Sequence, residues 1–333
     1  MLVVYPWQVE QWQHLQSLSK NGRLPHALLL TGPVGIGLRH FARCVSASLL
    51  CESNNKEEYP CESCKGCHLR QAGNHPDLFP MEPEGKGKQI KVDQVRGLIE
   101  FITLKSHSGG YKIVLIDPAE VMNRHAANTL LKTLEEPPPQ SLLLLLSHRP
   151  ELLPITIRSR CQRIVFKGDI STETTSWLTE QSVAPVNDPV LLLSLAGGAP
   201  LKALSLIEDD RLEFRGTVLD DLEALQRNEA DPVRVAEKWN EFGAAEALQG
   251  LAGLISDMVR LKLTGNTARL TNPDLCNHLH HLIKTLDLRQ LVESHDLAQK
   301  NSHLASGPIS LNSLCLLEEM AIHWLKLVPV NGG

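Results

Sequence analysis

The 333-residue sequence has no apolar run approaching the roughly 20 residues that cross a bilayer. Its longest, Leu142 to Leu146, suits a buried strand. The opening residues, Met1-Leu-Val-Val-Tyr-Pro-Trp7, lack both the basic stretch and the long apolar stretch of a secretory leader. These absences predict a cytoplasmic protein with reduced cysteines. Positive charge is also scarce: 33 Lys and Arg stand against 38 Asp and Glu, a net charge of −5. That argues against a stand-alone nucleic-acid binder held by phosphate neutralisation, and makes a zinc-dependent nucleic-acid binder the weakest functional class. No internal repeat and no long low-complexity segment is present.

What remains is ordinary globular material. Apolar residues make up 42% and charged residues 21%, enough to bury a core, and the length suggests two or three domains. The charge is unevenly divided. Residues 1–166 carry 19 basic and 15 acidic side chains, while residues 167–333 carry 14 and 23. A mildly basic front and an acidic back point to domains with different partners.

Four of the eight cysteines cluster. Cys51, Cys61, Cys64 and Cys67 form C-x9-C-x2-C-x2-C, which in a reducing compartment is better satisfied by a metal than by disulfides. Zinc suits four thiolates in a tetrahedron, with an iron–sulfur cluster as the alternative. Four protein ligands leave no place for a substrate water, so the zinc is read as structural. His68 and His75 are possible substitute ligands. Lys65 and Gly66 supply positive charge and a tight turn between the last sulfurs. Cys44, Cys161, Cys276 and Cys315 read as buried small residues.

Residues 26–166 alternate apolar runs with helical patterns. Strands are expected at His26–Thr31, Lys112–Asp117, Ser141–Ser147 and Arg163–Phe166, with another at Asp77–Met81. Continuous apolar strands separated by helices indicate a parallel sheet covered on both faces. A helix is expected over 119–136, capped by Asp117 with Pro118 behind it, striped by Val121, Met122, Ala126, Leu130 and Leu134, and stopped by Pro137-Pro-Pro139.

Between the first strand and a helix from about Leu38 to Leu50 lies Gly32-Pro-Val-Gly-Ile-Gly37. Gly32 and Gly37 have the spacing and context of a phosphate-binding loop, G-x-x-x-x-G-K-[ST]. The next residues, however, are Leu38 and Arg39. The Lys for the β- and γ-phosphates is missing, and Arg39 occupies the slot of the magnesium ligand. On the second strand Asp117 is present, but Pro118 replaces the water-activating Glu. Two catalytic elements are thus broken independently, which predicts an ATPase-type fold without ATP hydrolysis and no ATP in its own site.

These features resemble the AAA+ clamp-loader family of bacterial DNA polymerase III. The resemblance rests on His26-Ala-Leu-Leu-Leu-Thr-Gly32, the four-cysteine insertion, Ala72-Gly-Asn-His-Pro-Asp77, Ala126-Ala-Asn-Thr-Leu-Leu-Lys-Thr-Leu-Glu-Glu-Pro-Pro138 and Leu153-Pro-Ile-Thr-Ile-Arg-Ser-Arg-Cys161. The degenerate loop separates the chain from the active γ/τ-type loaders. The resemblance implies an α/β plus all-α architecture: an AAA+ domain at 1–166 with a zinc insertion at about 51–75, a small helical lid at 167–208, and a helical collar at 209–333.

It further implies a non-catalytic stator that helps load the sliding clamp onto primer-template DNA, with γ/τ ATPase subunits and a δ subunit as partners. Arg160 would be an arginine finger delivered in trans to a neighbouring ATP site. Taken by itself, Arg160 reads equally as a structural Arg paired with a carboxylate, and Arg158 is a weaker candidate for the finger. Gly197-Gly-Ala-Pro-Leu-Lys-Ala203 resembles the family's second sensor, with Leu201 in the arginine's place and Lys202 beside it. Ser147 and His148 lie near the first sensor position. The alternative function is an active nucleotide-binding switch in which Arg39 or Lys202 replaces the lost groups. Glu82-Pro-Glu-Gly-Lys-Gly-Lys88 reads as a mobile loop.

Overall fold

The computed structural model describes residues 2–53, 59–85, 88–182, 186, 188–208, 211–265, 270–306 and 312–327. The chain divides into two compact units, one of residues 1–177 and 198–202, the other of 178–197 and 203–333. The expected lid is therefore shared between them. Part of the expected mobile loop, Lys86 and Gly87, lies outside the described residues.

The first unit is built on five parallel strands: β1 (Ala27–Thr31), β2 (Leu78–Met81), β3 (Lys112–Ile116), β4 (Ser141–Ser147) and β5 (Gln162–Val165). Their order is β2-β3-β4-β1-β5, which seats β1 between the two strands that follow it last in the chain. This is the expected parallel sheet, with core packed on both of its faces. The central strands β1, β3 and β4 are buried along their whole length, which is why they read as unbroken apolar runs.

Successive side chains on each strand go to opposite faces. Leu28, Leu30, Ile113, Leu115, Leu142 and Leu144 pack with Trp12 of α1 (Val9–Lys20) and Phe41 of α2 (Leu38–Leu49). Leu29, Val114, Ile116, Leu143 and Leu145 pack with Val95 and Leu98 of α4 (Val92–Thr103) and Leu130 of α5 (Arg124–Glu135). Three further helices follow: α3 (Lys65–Gln71) after the cysteines, α6 (Ile155–Arg158) before Arg160, and α7 (Thr172–Gln181), whose residues from 178 on belong to the second unit.

One boundary departs from expectation. The helix predicted from 119 begins at Arg124, and its cap is Asn123, whose Oδ1 accepts from Ala126 N at 2.8 Å, rather than Asp117. Residues Ala119–Val121 form a single 3-10 turn. The backbone of Ile90 intervenes there, donating to Val121 O and accepting from Asn123 N, both at 3.1 Å, and so separates turn from helix.

Asp77, just before β2, is wholly buried. Burial by itself would raise its pKa. The His107 and Ser108 N–H groups at 2.8 and 3.0 Å, with the Ser108 and Ser106 hydroxyls at 2.8 and 3.0 Å, outweigh that and hold it below the ordinary carboxylate value. Lys112 Nζ lies 4.0 Å away, over the Phe101 ring. Because the folded pKa is depressed, this stabilisation is fully present above the unfolded value of about 3.9 and is lost as pH falls through the folded one. Asp77→Ala should cost about 1–3 kcal/mol at pH 7, by orphaning the donors. Urea midpoints at pH 7 and pH 3 check this, and the gap from wild type should narrow at the lower pH.

The second unit is helical: α8 (Pro189–Leu195), α9 (Pro200–Glu208, partly in the first unit), α10 (Arg211–Gln226), α11 (Pro232–Asn240), α12 (Ala244–Thr264), α13 (Cys276–Leu282), α14 (Leu288–Ala305) and α15 (Ser313–Leu325). Trp239, Leu251, Ile255, Leu291, Leu317 and Trp324 fill one core. Both indoles are satisfied, Trp239 by Asp221 Oδ2 at 3.0 Å and Trp324 by Leu222 O at 3.2 Å. Among the described residues no single helix is long and apolar enough to cross a membrane.

Candidate metal centre, nucleotide loop and arginine finger

The four clustered cysteines come together. Cys51 follows the end of α2, and Cys64 caps α3, its sulfur accepting from Cys67 N at 3.4 Å. Sγ–Sγ distances are 3.5 Å for Cys51–Cys61 and 4.0 Å for Cys51–Cys64 and Cys61–Cys67, and all four sulfurs lie within 4.8 Å of one another. A tetrahedral ion with bonds of about 2.3 Å separates its sulfurs by about 3.8 Å, so the four fit one ion.

Gly66 is required, since a Cβ there would stand 2.5 Å from Leu50 O. Burial raises the Cys51 and Cys67 thiols, which a doubly charged cation between them would reverse. Neither histidine joins the cluster. His75 is buried and its Nδ1 accepts from Asp77 N at 3.1 Å, while His68 is exposed.

The glycine loop has the expected place between β1 and α2, with Gly35 and Gly37 in the left-handed region at φ +85° and +89°. Its carbonyls are occupied from within the first unit. Trp7 Nε1 donates to Ile36 O at 2.9 Å. Gln8 Nε2 donates to Ile36 O and Gly37 O, both at 3.0 Å. His148 Nδ1 donates to Gly32 O at 2.9 Å, and Leu201 N to Gly35 O at 3.1 Å. A Cβ on Gly37 would stand 2.9 Å from the Tyr5 ring, and one on Gly35 would stand 2.6 Å from Lys202. Tyr5 stacks on Trp7 at 4.7 Å, and Trp177 meets both rings edge-on.

Sequence reasoning missed this N-terminal contribution and left His148 without a role. Tyr5 and Trp7, two rings in a chain only 4% aromatic, were the available signal. Ser147 is fully buried and its hydroxyl finds no partner among the described residues.

Arg39 is an exposed side chain whose guanidinium is paired within the first unit. Its Nε donates to Asp117 Oδ2, and its Nη1 lies 2.9 Å from Glu82 Oε1. The guanidinium thus serves as the counter-cation of the buried Asp117, in the slot where the loop motif would place a magnesium ligand. Leu38 is buried in the core behind the loop and offers no polar group.

Arg160 follows α6 at the surface, with its side chain 35% exposed. Its Nε donates to Glu135 Oε1 at 2.8 Å, Nη2 reaches the same oxygen, and Nη1 donates to Thr156 O at 3.0 Å. The carboxylate-paired arrangement considered from sequence is therefore the one present in the isolated chain. Arg158 has its Nε buried and without a partner among the described residues. Leu152 and Ile155, just before Arg160, are exposed at 56% and 66%.

Residues 7–169 match the family model described as DNA polymerase III, delta subunit, and residues 209–326 the model of its C-terminal part. The chain is 34% identical to DNA polymerase III subunit delta′ of Pseudomonas aeruginosa, covering 98% of this chain and 99% of that one. It is 33% identical to the Escherichia coli subunit delta′, over 83% of each. A subunit tau/gamma of Haemophilus influenzae is 35% identical over 57% of this chain and 28% of its own length. A solved gamma subunit-related protein of Thermotoga maritima covers 95% of this chain at 20% identity, with a TM-score of 0.46. Matched across nearly its whole length by relatives of one kind, the chain belongs to the DNA polymerase III subunit delta′ family.

Proposed function

We propose that this chain is the non-catalytic, cytoplasmic stator of a DNA polymerase III clamp loader, completing a neighbour's ATP site with Arg160 while its own loop stays empty of nucleotide. The observation that carries this reading is a contrast within one unit. Leu38, in the place of the phosphate-binding lysine, is buried in the core, and Arg39, in the place of the magnesium ligand, pairs with Asp117 and Glu82, whereas Arg160 lies beside exposed Leu152 and Ile155. A planar, permanently charged guanidinium delivered from outside stabilises charge developing on a transferred phosphoryl group. The partners are γ/τ-type ATPase subunits and a δ subunit, with the sliding clamp and primer-template DNA reached through the complex. The helices from 209 onward act as the collar and the segment 167–208 as a lid. Cys51, Cys61, Cys64 and Cys67 hold a structural zinc, whose chemistry is to cross-link the insertion.

The alternative, an active nucleotide switch in which Arg39 or Lys202 replaces the lost groups, would in its Arg39 form require that residue to leave both Asp117 and Glu82. Titration calorimetry of the purified chain with Mg-ATP separates the two. No binding is expected at millimolar nucleotide, and micromolar affinity would favour the switch. Light scattering of the chain mixed with a γ/τ-type ATPase subunit and a δ subunit should show a stable hetero-oligomer.

A further inference from the structure

We infer that Glu135 is a positioning residue for Arg160, an inference that rests on the finger reading above. The argument starts from the way the guanidinium is held. Nε and Nη2 share Glu135 Oε1, so the carboxylate takes the side edge of the fork. Nη1 gives a hydrogen to the Thr156 carbonyl at 3.0 Å. The terminal edge, between Nη1 and Nη2, carries no carboxylate among the described residues, and Ser159 Oγ approaches Nη1 only at 3.5 Å. That terminal edge matches two oxygens of a phosphate, since parallel N–H groups bind oxyanions as a pair. Glu135 thus fixes the arginine while leaving the edge that an incoming γ-phosphate needs.

The placement of Glu135 supports a role beyond helix stability. It is the last residue of α5, followed by Glu136 and then three prolines that end the helix. A carboxylate at a helix C-terminus opposes the helix dipole, so its own helix gains nothing from it. The backbone of Arg160 is independently anchored, with its N–H on Ile157 O at 3.1 Å and half-buried Cys161 packed into the core next to it. Beyond Thr156 O it is Glu135 that holds the long side chain, and an arginine without that restraint must give up more rotamer freedom each time it docks. Pre-setting it removes that cost from the transition state.

The test uses the reconstituted clamp loader with clamp and primed DNA, following single-turnover ATP hydrolysis at the site that Arg160 completes. Glu135→Ala should lower its rate constant by about ten- to thirtyfold, the loss expected for releasing a rotamer-rich side chain, with KM for ATP nearly unchanged. Glu135→Gln keeps an oxygen that accepts from Nε and Nη2, so it should restore most of the rate. In an Arg160→Ala background, Glu135→Ala should add nothing. A loss of equal size in that background would make Glu135 a structural residue and overturn the inference. So would a normal rate in Glu135→Ala when Arg160→Ala is impaired. If Arg160→Ala itself hydrolyses normally in an assembled complex, the finger reading fails first and the inference with it.

Discussion

Arg160→Ala is expected to slow ATP hydrolysis at the neighbouring site on the order of 10³-fold, the lower end of what a trans-acting arginine contributes. The size follows from where the charge develops. The γ-phosphoryl group passes through a transition state with charge spread over its outer oxygens, and a fixed guanidinium meets that charge without solvent reorganisation. The variant should still fold and assemble. The Arg160–Glu135 pair is solvent-exposed on both sides, at 35% and 49%, and such pairs contribute about 0–1 kcal/mol. Arg160→Lys should recover little, because an ammonium is a point charge without the paired edge. Phosphate release under clamp and primed-DNA stimulation, with ring formation followed by light scattering, checks both halves. An unchanged rate in a normally assembled complex removes Arg160 from the mechanism.

How much of this was legible depended on how local each signal is. The strands were readable because β1, β3 and β4 are covered on both faces, which forces continuous apolar runs; Ser141–Ser147 matches its expected span. The metal cluster was readable because three of its four ligands fall within seven residues, so spacing alone brings them together. Tertiary interactions defeated the rest. The 119–136 helix was misplaced at its start because Ile90, far back in the chain, bonds on both sides of Met122. The bracing of the loop was invisible because its partners come from residues 7–8 and from His148, and the groups they bind are backbone carbonyls that any sequence carries. Arg39 was seen in the wrong slot for a phosphate ligand, but its pairing with Asp117 and Glu82 needed coordinates. Glu135 lies in the stretch Ala126–Pro138, and only geometry joins it to Arg160, 25 residues on.

Stripping the metal, or changing Cys64 to Ser, should unfold the insertion at 51–75 while leaving the sheet intact. Structural zinc contributes roughly 10–16 kcal/mol in finger peptides, as much as the whole stability of an ordinary domain, so a small module held by it has little else. The insertion shows that shortage: α3 is seven residues long and buries only Gly66 and Cys67. Serine is the informative replacement because Cys64 has two duties. It caps α3 through Cys67 N, a bond a serine oxygen also makes, so Cys64→Ser removes the metal ligand and keeps the cap. Metal analysis should read one zinc per chain in wild type and none in the variant. Amide exchange over 59–75 should rise by several orders of magnitude, while β1, β3 and β4 keep their protection, since the sheet core lies elsewhere. Cys315→Ser, at an exposed position in the helical unit, should keep both metal and protection. Iron in place of zinc would sink the identity of the ion, and unchanged exchange in metal-free protein would sink its role as the staple of this segment.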